Sequence, residues 1–334
     1  MQQSRAILVG EEPNEITVGK LEVNDPGPKD VLVESRVIGI CRSDIELRDG
    51  HLDHIIPVTY PVVPGHEWSG VVAGVGSDVT RVEVGDRVVG ECLITSHDWF
   101  GCNVNGAGSD LFLAPEQVLH KLPDSVDDTM GAMVEPFTIA FRAVREIGGC
   151  DPGDVVAVVG GGMIGLCATA ICHANGSLVI VVEPNPKRRS LALELGADLA
   201  VDPAELDDPV SWFRTHAGVD GPNLVVEASG AAPGLALAIG VADFRARVVM
   251  IGITATPMIP APLNMIQAKN LRIQGVTGSP DVWPAALRFI ARAGIDLSGL
   301  VSEHFSFDDA GDAFLAAEDP ENLKIHLSPA GIGR

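Results

Sequence analysis

The stretch YPVVPGHEWSG, residues 60–70, sets His66 and Glu67 side by side between a proline turn and a strand-like run. Upstream, GICRSDIE carries Cys41, Arg42, Ser43, Asp44 and Glu46; downstream, MVEPF carries Glu135. Taken singly, each has an ordinary explanation. Ser43 and Glu46 form an S-x-x-E helix cap, Glu135 before Pro136 suits a helix N-terminus, and a lone cysteine is packing. Taken together they have the thiolate, imidazole and carboxylate makeup of a catalytic zinc site, in which three protein ligands leave one position open.

A second chemistry is written in VVGGGMIG. Gly160, Gly162 and Gly165 have GxGxxG spacing directly after an apolar run and ahead of an amphipathic one, with Glu183 at the end of the next apolar run. Glycines there let the backbone approach a pyrophosphate, whose charge rests on a helix N-terminus. A carboxylate at Glu183 accepts hydrogen bonds from a free ribose diol and repels a 2′-phosphate, so NAD is expected over NADP. Lys187, Arg188 and Arg189 follow closely and would soften that preference, or else form an exposed helix face.

Two kinds of element must position these residues. Residues 1–147 read as short alternating strands with Gly and Pro punctuation, completed by 282–334, where WPAALRFIARAG, FDDAGDAFLAAE and NLKIHL fold back onto that unit. Residues 148–281 alternate strand and helix, which calls for parallel strands and right-handed crossovers, a doubly wound sheet. The fold class expected is therefore α/β, a β-rich unit plus a Rossmann unit. Met163, Ile164, Cys167, Ala170 and Ile171 recur at helical spacing and predict one buried stripe. A length of 334 residues fits two domains. The formal charge of −22 disfavours nucleic acid and anionic lipid as partners. No transmembrane span is expected, because glycines split the longest apolar run, and the N-terminus lacks the pattern of a secretory signal, so a cytoplasmic location is expected. Six cysteines without a CxxC pair do not suggest a disulfide framework.

GICRSD, VVPGHEWSG, GDRVVG, VEP, VVGGGMIG, VVEASG and LKIHL occur in the order and spacing of the zinc-dependent medium-chain dehydrogenases, a resemblance that runs essentially end to end and is nearest the sorbitol dehydrogenase branch, because Glu135 stands where other branches place a cysteine. The resemblance implies a GroES-like catalytic domain beside the Rossmann domain, with the active site in the cleft between them. It implies that Cys41 and His66 bind a catalytic zinc, with Glu67 and Glu135 as a third ligand and a near neighbour in an order left open. Asp44 would orient His66, Ser43 would take the alcohol proton, and zinc would act as Lewis acid on the substrate hydroxyl. Arg42, Met163, Ile164, Ala228, Ser229, Ile251, Gly252 and Ile253 would meet the cofactor, as would Lys324 through its pyrophosphate. Identical subunits in a dimer or tetramer would pair through LRIQGVTG.

The departures matter as much. ECLITSHDWFGCNVNGAGSD holds only Cys92 and Cys102 where the family's structural zinc needs four cysteines, so one zinc per subunit is expected. Glu46 replaces the histidine that completes the proton relay in many relatives. Gly278 and Ser279 stand where sorbitol dehydrogenases carry an arginine and a tyrosine, which shifts the expected substrate toward a polyol, cyclitol or aminocyclitol with a ring-shaped secondary alcohol. Competing readings are an epimerase that uses tightly bound NAD transiently and a catalytically silent NAD-binding protein.

Overall fold

The computed structural model of the chain describes residues 2–52, 55–253 and 258–330. The chain divides into two units, residues 1–135 with 278–334 and residues 136–277. Among the described residues, no helix is long and apolar enough to cross a membrane.

The first unit opens with the antiparallel pair β1 (Gln2–Val9) and β2 (Ile16–Val23). β3 (Asp30–Ile40) then leads into the short helix α1 (Arg42–Arg48), and β4 (Glu67–Val75), β5 (Arg87–Gly90), β6 (Leu111–Pro115), β7 (Leu119–Lys121) and α2 (Asp128–Gly131) follow. β4 shows the period-two logic of a half-buried strand: Trp68 packs against Phe112 at 4.9 Å and Phe100 at 5.9 Å, which sends its neighbour Glu67 to the other face. Trp68 is 2% exposed, a hydrophobic anchor that fixes the register of the residue before it.

The second unit takes most of α3 (Val134–Glu146) and continues β8 (Val155–Val159), α4 (Met163–Ala174), β9 (Leu178–Val182), α5 (Pro186–Glu194), β10 (Leu199–Val201), α6 (Pro209–Ala217), β11 (Leu224–Glu227), α7 (Ala232–Val241), β12 (Arg247–Met250), α8 (Asn264–Ala268) and β13 (Arg272–Gly275). Its six strands lie in the order β10-β9-β8-β11-β12-β13, all parallel, the doubly wound arrangement expected from the strand–helix alternation. The strands VVAVV and LVIVV are almost wholly buried, as two-sided coverage demands. The boundary differs from the sequence reading, which gave residues up to 147 to the first unit. Hydrogen bonds explain why the body of α3 belongs to the second: Arg142 donates to the Thr277 carbonyl at 2.9 Å, and Gln274 donates to Glu146 at 2.9 Å. The single buried stripe expected of α4 is also revised, since Gly165 through Cys172 are all buried. Burial circles that part of the helix.

The chain then returns to the first unit through α9 (Trp283–Ala293), β14 (Val301–Ser306), α10 (Ala310–Glu318) and β15 (Lys324–Ser328), as WPAALRFIARAG, FDDAGDAFLAAE and NLKIHL led one to expect. β15 inserts between β14 and β3, giving a seven-stranded sheet in which six strands run in the order β14-β15-β3-β4-β5-β7 and β6 pairs with β3. The last strand of the chain thus lies beside the strand that leads to Cys41.

Candidate metal centre and nucleotide site

Cys41 is the N-cap of α1, with extended backbone angles that end β3 and turn the chain. Its backbone N–H donates to Asp44 Oδ2 at 2.8 Å, so the reciprocal cap is Cys41 with Asp44 and not the Ser43–Glu46 pair expected from S-x-x-E. Glu46 instead faces Arg42 at 3.5 Å, whose side chain is 75% exposed. This cap fixes Asp44 beneath the imidazole of His66, with Oδ1 3.6 Å from Nδ1, near enough for charge attraction and too long for a hydrogen bond. Both atoms are buried without a hydrogen-bond partner.

His66 directly precedes β4 and Glu67 begins it, after Gly65, whose φ of +101° favours glycine and whose carbonyl accepts from the Ala107 N–H at 2.9 Å. Ligand atoms of Cys41, His66 and Glu67 all lie within 4.8 Å of one another. Ser43 Oγ is 3.3 Å from His66 Nε2. Glu135, 8% exposed, lies close enough to feel the charges of His66, Glu67 and Lys324, and burial pushes its carboxyl up to about 7. The His66 imidazole is raised well above its ordinary value: burial opposes its charge, but Asp44 and then Cys102 outweigh burial. The two shifts have different causes: neighbouring Asp44 and Cys102 favour the charged imidazole of His66, whereas burial favours the neutral carboxyl of Glu135.

Zinc fits these residues. The donor set combines a soft thiolate, an imidazole and a hard carboxylate, and the orphaned His66 Nδ1 faces the orphaned Asp44 oxygen, the arrangement by which a carboxylate orients a metal-bound ring.

Three features of this region were not foreseen. Cys102 lies against His66 and beside Cys92; the neighbouring Cys92 thiol, ahead of an opposing burial effect, brings Cys102 down to about 6, while Cys92 is held well above its ordinary value. Lys324, expected to reach a cofactor phosphate, is 4% exposed and donates to Glu67 Oε2 at 2.5 Å and to the Ile40 carbonyl at 3.0 Å. Its pKa is raised, burial being outweighed by Glu67 and Cys41. The room expected at Gly278 and Ser279 is taken: a Cβ on Gly278 would stand 2.6 Å from Leu93, and Ser279 Oγ accepts from the Trp283 indole at 3.2 Å. In sequence only the glycine-rich loop 101–108 hinted at close backbone approach, and nothing local marked Lys324.

In the second unit the fingerprint forms the turn from β8 into α4. Gly160 has φ +101°, and the first intrahelical bond runs from Leu166 N–H to Gly162 at 2.9 Å, so Met163, Ile164 and Gly165 carry the N–H groups that precede it. A Cβ on Gly165 would meet the Gly160 carbonyl, while one on Gly162 meets nothing within 4 Å. Glu183 directly follows β9, 5% exposed, accepting from Gly161 N–H at 2.6 Å and Asn185 N–H at 2.8 Å. That carboxylate is tied to the glycine turn, where a ribose next to the pyrophosphate would lie. Arg188 is partly buried in the first turn of α5, its N–H on Asn185. Ala228 and Ser229 follow β11, with Ser229 bonded to Glu227; Ile251 and Gly252 follow β12, both N–H groups on the Glu227 carbonyl, and Ile253 is 82% exposed. The turn, the carboxylate and these strand ends make a nicotinamide dinucleotide fit the unit.

Comparison with known proteins agrees with both halves. A family model described as zinc-binding dehydrogenase matches residues 163–292, and one described as alcohol dehydrogenase GroES-like domain matches residues 27–124. Sorbitol dehydrogenase of Halalkalibacterium halodurans is 30% identical over 326 residues, covering 91% of this chain and 93% of that protein. Among solved structures, 2R,3R-butanediol dehydrogenase from Bacillus subtilis superposes with a TM-score of 0.88 at 30% identity, covering 98% and 99% of the two chains. A short chain alcohol dehydrogenase from Escherichia coli CFT073, complexed with NADH, gives a TM-score of 0.87 at 27% identity over 98% and 100%. The chain belongs to the zinc-binding, GroES-like alcohol dehydrogenase family, on its sorbitol dehydrogenase-like side, and is an oxidoreductase of alcohols.

Proposed function

We propose that this protein oxidises a secondary alcohol of the polyol, cyclitol or aminocyclitol class, with NAD as hydride acceptor and a single zinc held by Cys41, His66 and Glu67. The observation that carries the reading is the convergence of those three donors within 4.8 Å. When bound, zinc supplies Lewis-acid polarisation of the substrate hydroxyl. The nicotinamide supplies the hydride acceptor.

The chain's own residues do the rest. Asp44 holds the His66 ring in register. Ser43, with its hydroxyl 3.3 Å from His66 Nε2, takes the alcohol proton and passes it outward, with Glu46 and solvent beyond it in place of the missing histidine. Glu135, buried and held up to about 7, stands by as the second carboxylate that holds a water at the site. Glu183 supports NAD over NADP, because its carboxylate sits at the turn that would cradle the pyrophosphate. The edge position of β13, the LRIQG strand, supports pairing of identical subunits into a dimer or tetramer in the cytoplasm.

The test is a panel of cyclic and linear polyols incubated with the purified protein and NAD, followed by NADH absorbance, with metal content measured in parallel. The reading expects turnover on at least one ring or chain polyol and loss of both zinc and turnover in Cys41→Ser. A Cys41→Ser protein that keeps its zinc and its rate refutes it.

A further inference from the structure

Glu67 is not free to swing. Its Oε2 is 2.5 Å from the Lys324 ammonium, and both side chains are buried, at 2% and 4% exposure. The same ammonium donates to the carbonyl of Ile40, the residue that precedes Cys41. One cation on β15 therefore ties together the backbone leading to the thiol and the carboxylate that follows the imidazole. Strand register makes this possible: Gly39 on β3 faces Glu67 on β4 and His326 on β15 in one row. Gly39 leaves the space that Glu67 and Lys324 fill, because a Cβ there would stand 2.4 Å from Glu67 Oε2 and 3.4 Å from Lys324 Cδ.

We propose that Lys324 is a positioning residue for the metal: by holding one oxygen of Glu67, it leaves this carboxylate a single oxygen to offer the ion and keeps the remaining position open to substrate. The inference rests on the reading of Cys41, His66 and Glu67 as zinc ligands. A carboxylate with both oxygens free can chelate a dication through both, which raises the coordination number and closes the site. An ammonium bound to one oxygen prevents that, and it also offsets part of the negative charge that the ligands bring together. A lysine that mattered only for folding would, when removed, loosen the metal. Removal of Lys324 as a positioning residue tightens it.

Cobalt replacement reads this directly. Wild type, Lys324→Met, Lys324→Arg and Gly39→Ala are stripped, loaded with Co²⁺, and followed by visible absorption and by the rate of metal loss to a chelator. In Lys324→Met the visible bands weaken as the coordination number rises, and metal loss slows by roughly tenfold because a positive charge beside the ligands is gone. Lys324→Arg restores the wild-type spectrum. Gly39→Ala keeps the lysine but pushes the carboxylate off it, so it moves spectrum and release rate in the same direction as Lys324→Met and stands in if that variant does not fold. A spectrum unchanged in both variants, or faster metal loss in either, overturns the proposal. Failure of the wild type to take up Co²⁺ or Zn²⁺ at all instead refutes the ligand set itself.

Discussion

Two glycines five residues or fewer from one another make opposite predictions, and the difference isolates what the cofactor requires from what the fold requires. A methyl on Gly165 would lie 1.9 Å from the Gly160 carbonyl oxygen, a backbone atom that cannot rotate away. Overpacking of this kind costs about 1–3 kcal/mol or more. For a chain of this size that corresponds to a Tm drop on the order of 1–4 °C, with no ligand present. A methyl on Gly162 meets nothing within 4 Å, and the residue has φ −76°, which alanine adopts without strain. Gly162→Ala therefore leaves the ligand-free protein within about 1 kcal/mol of wild type, because the gain through the unfolded chain is offset by alanine's poorer fit at the N-cap of α4. The empty space at Gly162 lies at the N-terminus of α4, where a pyrophosphate approaches the backbone. The same substitution should weaken NADH binding by at least about tenfold, roughly 1.4 kcal/mol. Thermal melts without ligand and NADH fluorescence titrations measure the two quantities on the same samples. A Gly162→Ala protein that binds NADH as wild type does would show that the turn is glycine-rich for packing alone, and the dinucleotide assignment of this turn would fall.

Three other outcomes follow from the site. Glu183→Gln keeps an acceptor for the Gly161 N–H but loses the charge that repels a 2′-phosphate, so the ratio of kcat/KM for NAD over NADP should fall by about tenfold, and an unchanged ratio would refute the role given to Glu183. In metal-free protein the Glu135 carboxyl sits at about 7 against 4.5 in the unfolded chain, so the folded state holds a proton that the unfolded state releases; stability falls as pH rises from 4.5 through 7, by an amount on the order of 3 kcal/mol, and urea midpoints for Glu135→Gln should not show this loss. Zinc uptake at pH 6 should release protons into weakly buffered solution, more than in a His66→Ala or Glu135→Gln background, and calorimetry in two buffers of different ionisation enthalpy counts them.

The parts of this molecule that were legible in the sequence are those whose physics is local. The strand–turn–helix around Gly160, Gly162 and Gly165 forms from neighbouring residues, and its glycines are needed where they stand. Cys41, His66, Glu67 and Glu135 were legible as candidate donors because few other chemistries use that combination, but the sequence left the choice between the two glutamates open. What stayed hidden depends on distance in the chain. Lys324 meets Glu67 across 257 residues, through a strand insertion that no local pattern announces. Cys102 reaches His66 because its loop hydrogen-bonds to the 63–65 segment. The helix cap was misread for a smaller reason: S-x-x-E and C-x-x-D overlap by two residues, and the chain caps on the cysteine because β3 ends there. Gly278 looked like open space in the sequence, but a small residue makes room only when nothing else moves in, and Leu93 does.

Charge explains why these pieces belong together. Asp44, Glu67 and Glu135 are between 1% and 8% exposed; Glu67 lies with the Cys41 thiol and the His66 imidazole, Asp44 faces that imidazole, Glu135 is near enough to feel the charges of His66 and Glu67, and Lys324 is the buried lysine on Glu67. Burying like charges so closely costs several kcal/mol for each one left uncompensated. The chain answers in two ways: Lys324 neutralises one oxygen of Glu67, while His66 and Glu135 are pushed toward holding protons. Protons are a partial remedy, because each neutralises a single group while Cys41, His66 and Glu67 bring their donor atoms within 4.8 Å of one another. On the proposed ligand set a dication would be held by the thiol, the imidazole and one carboxylate oxygen, and its binding would compete with those protons. On this account the same negative potential that strains the metal-free site is what selects the ion, and Lys324 limits that selection to one carboxylate oxygen so that a place remains for the alcohol.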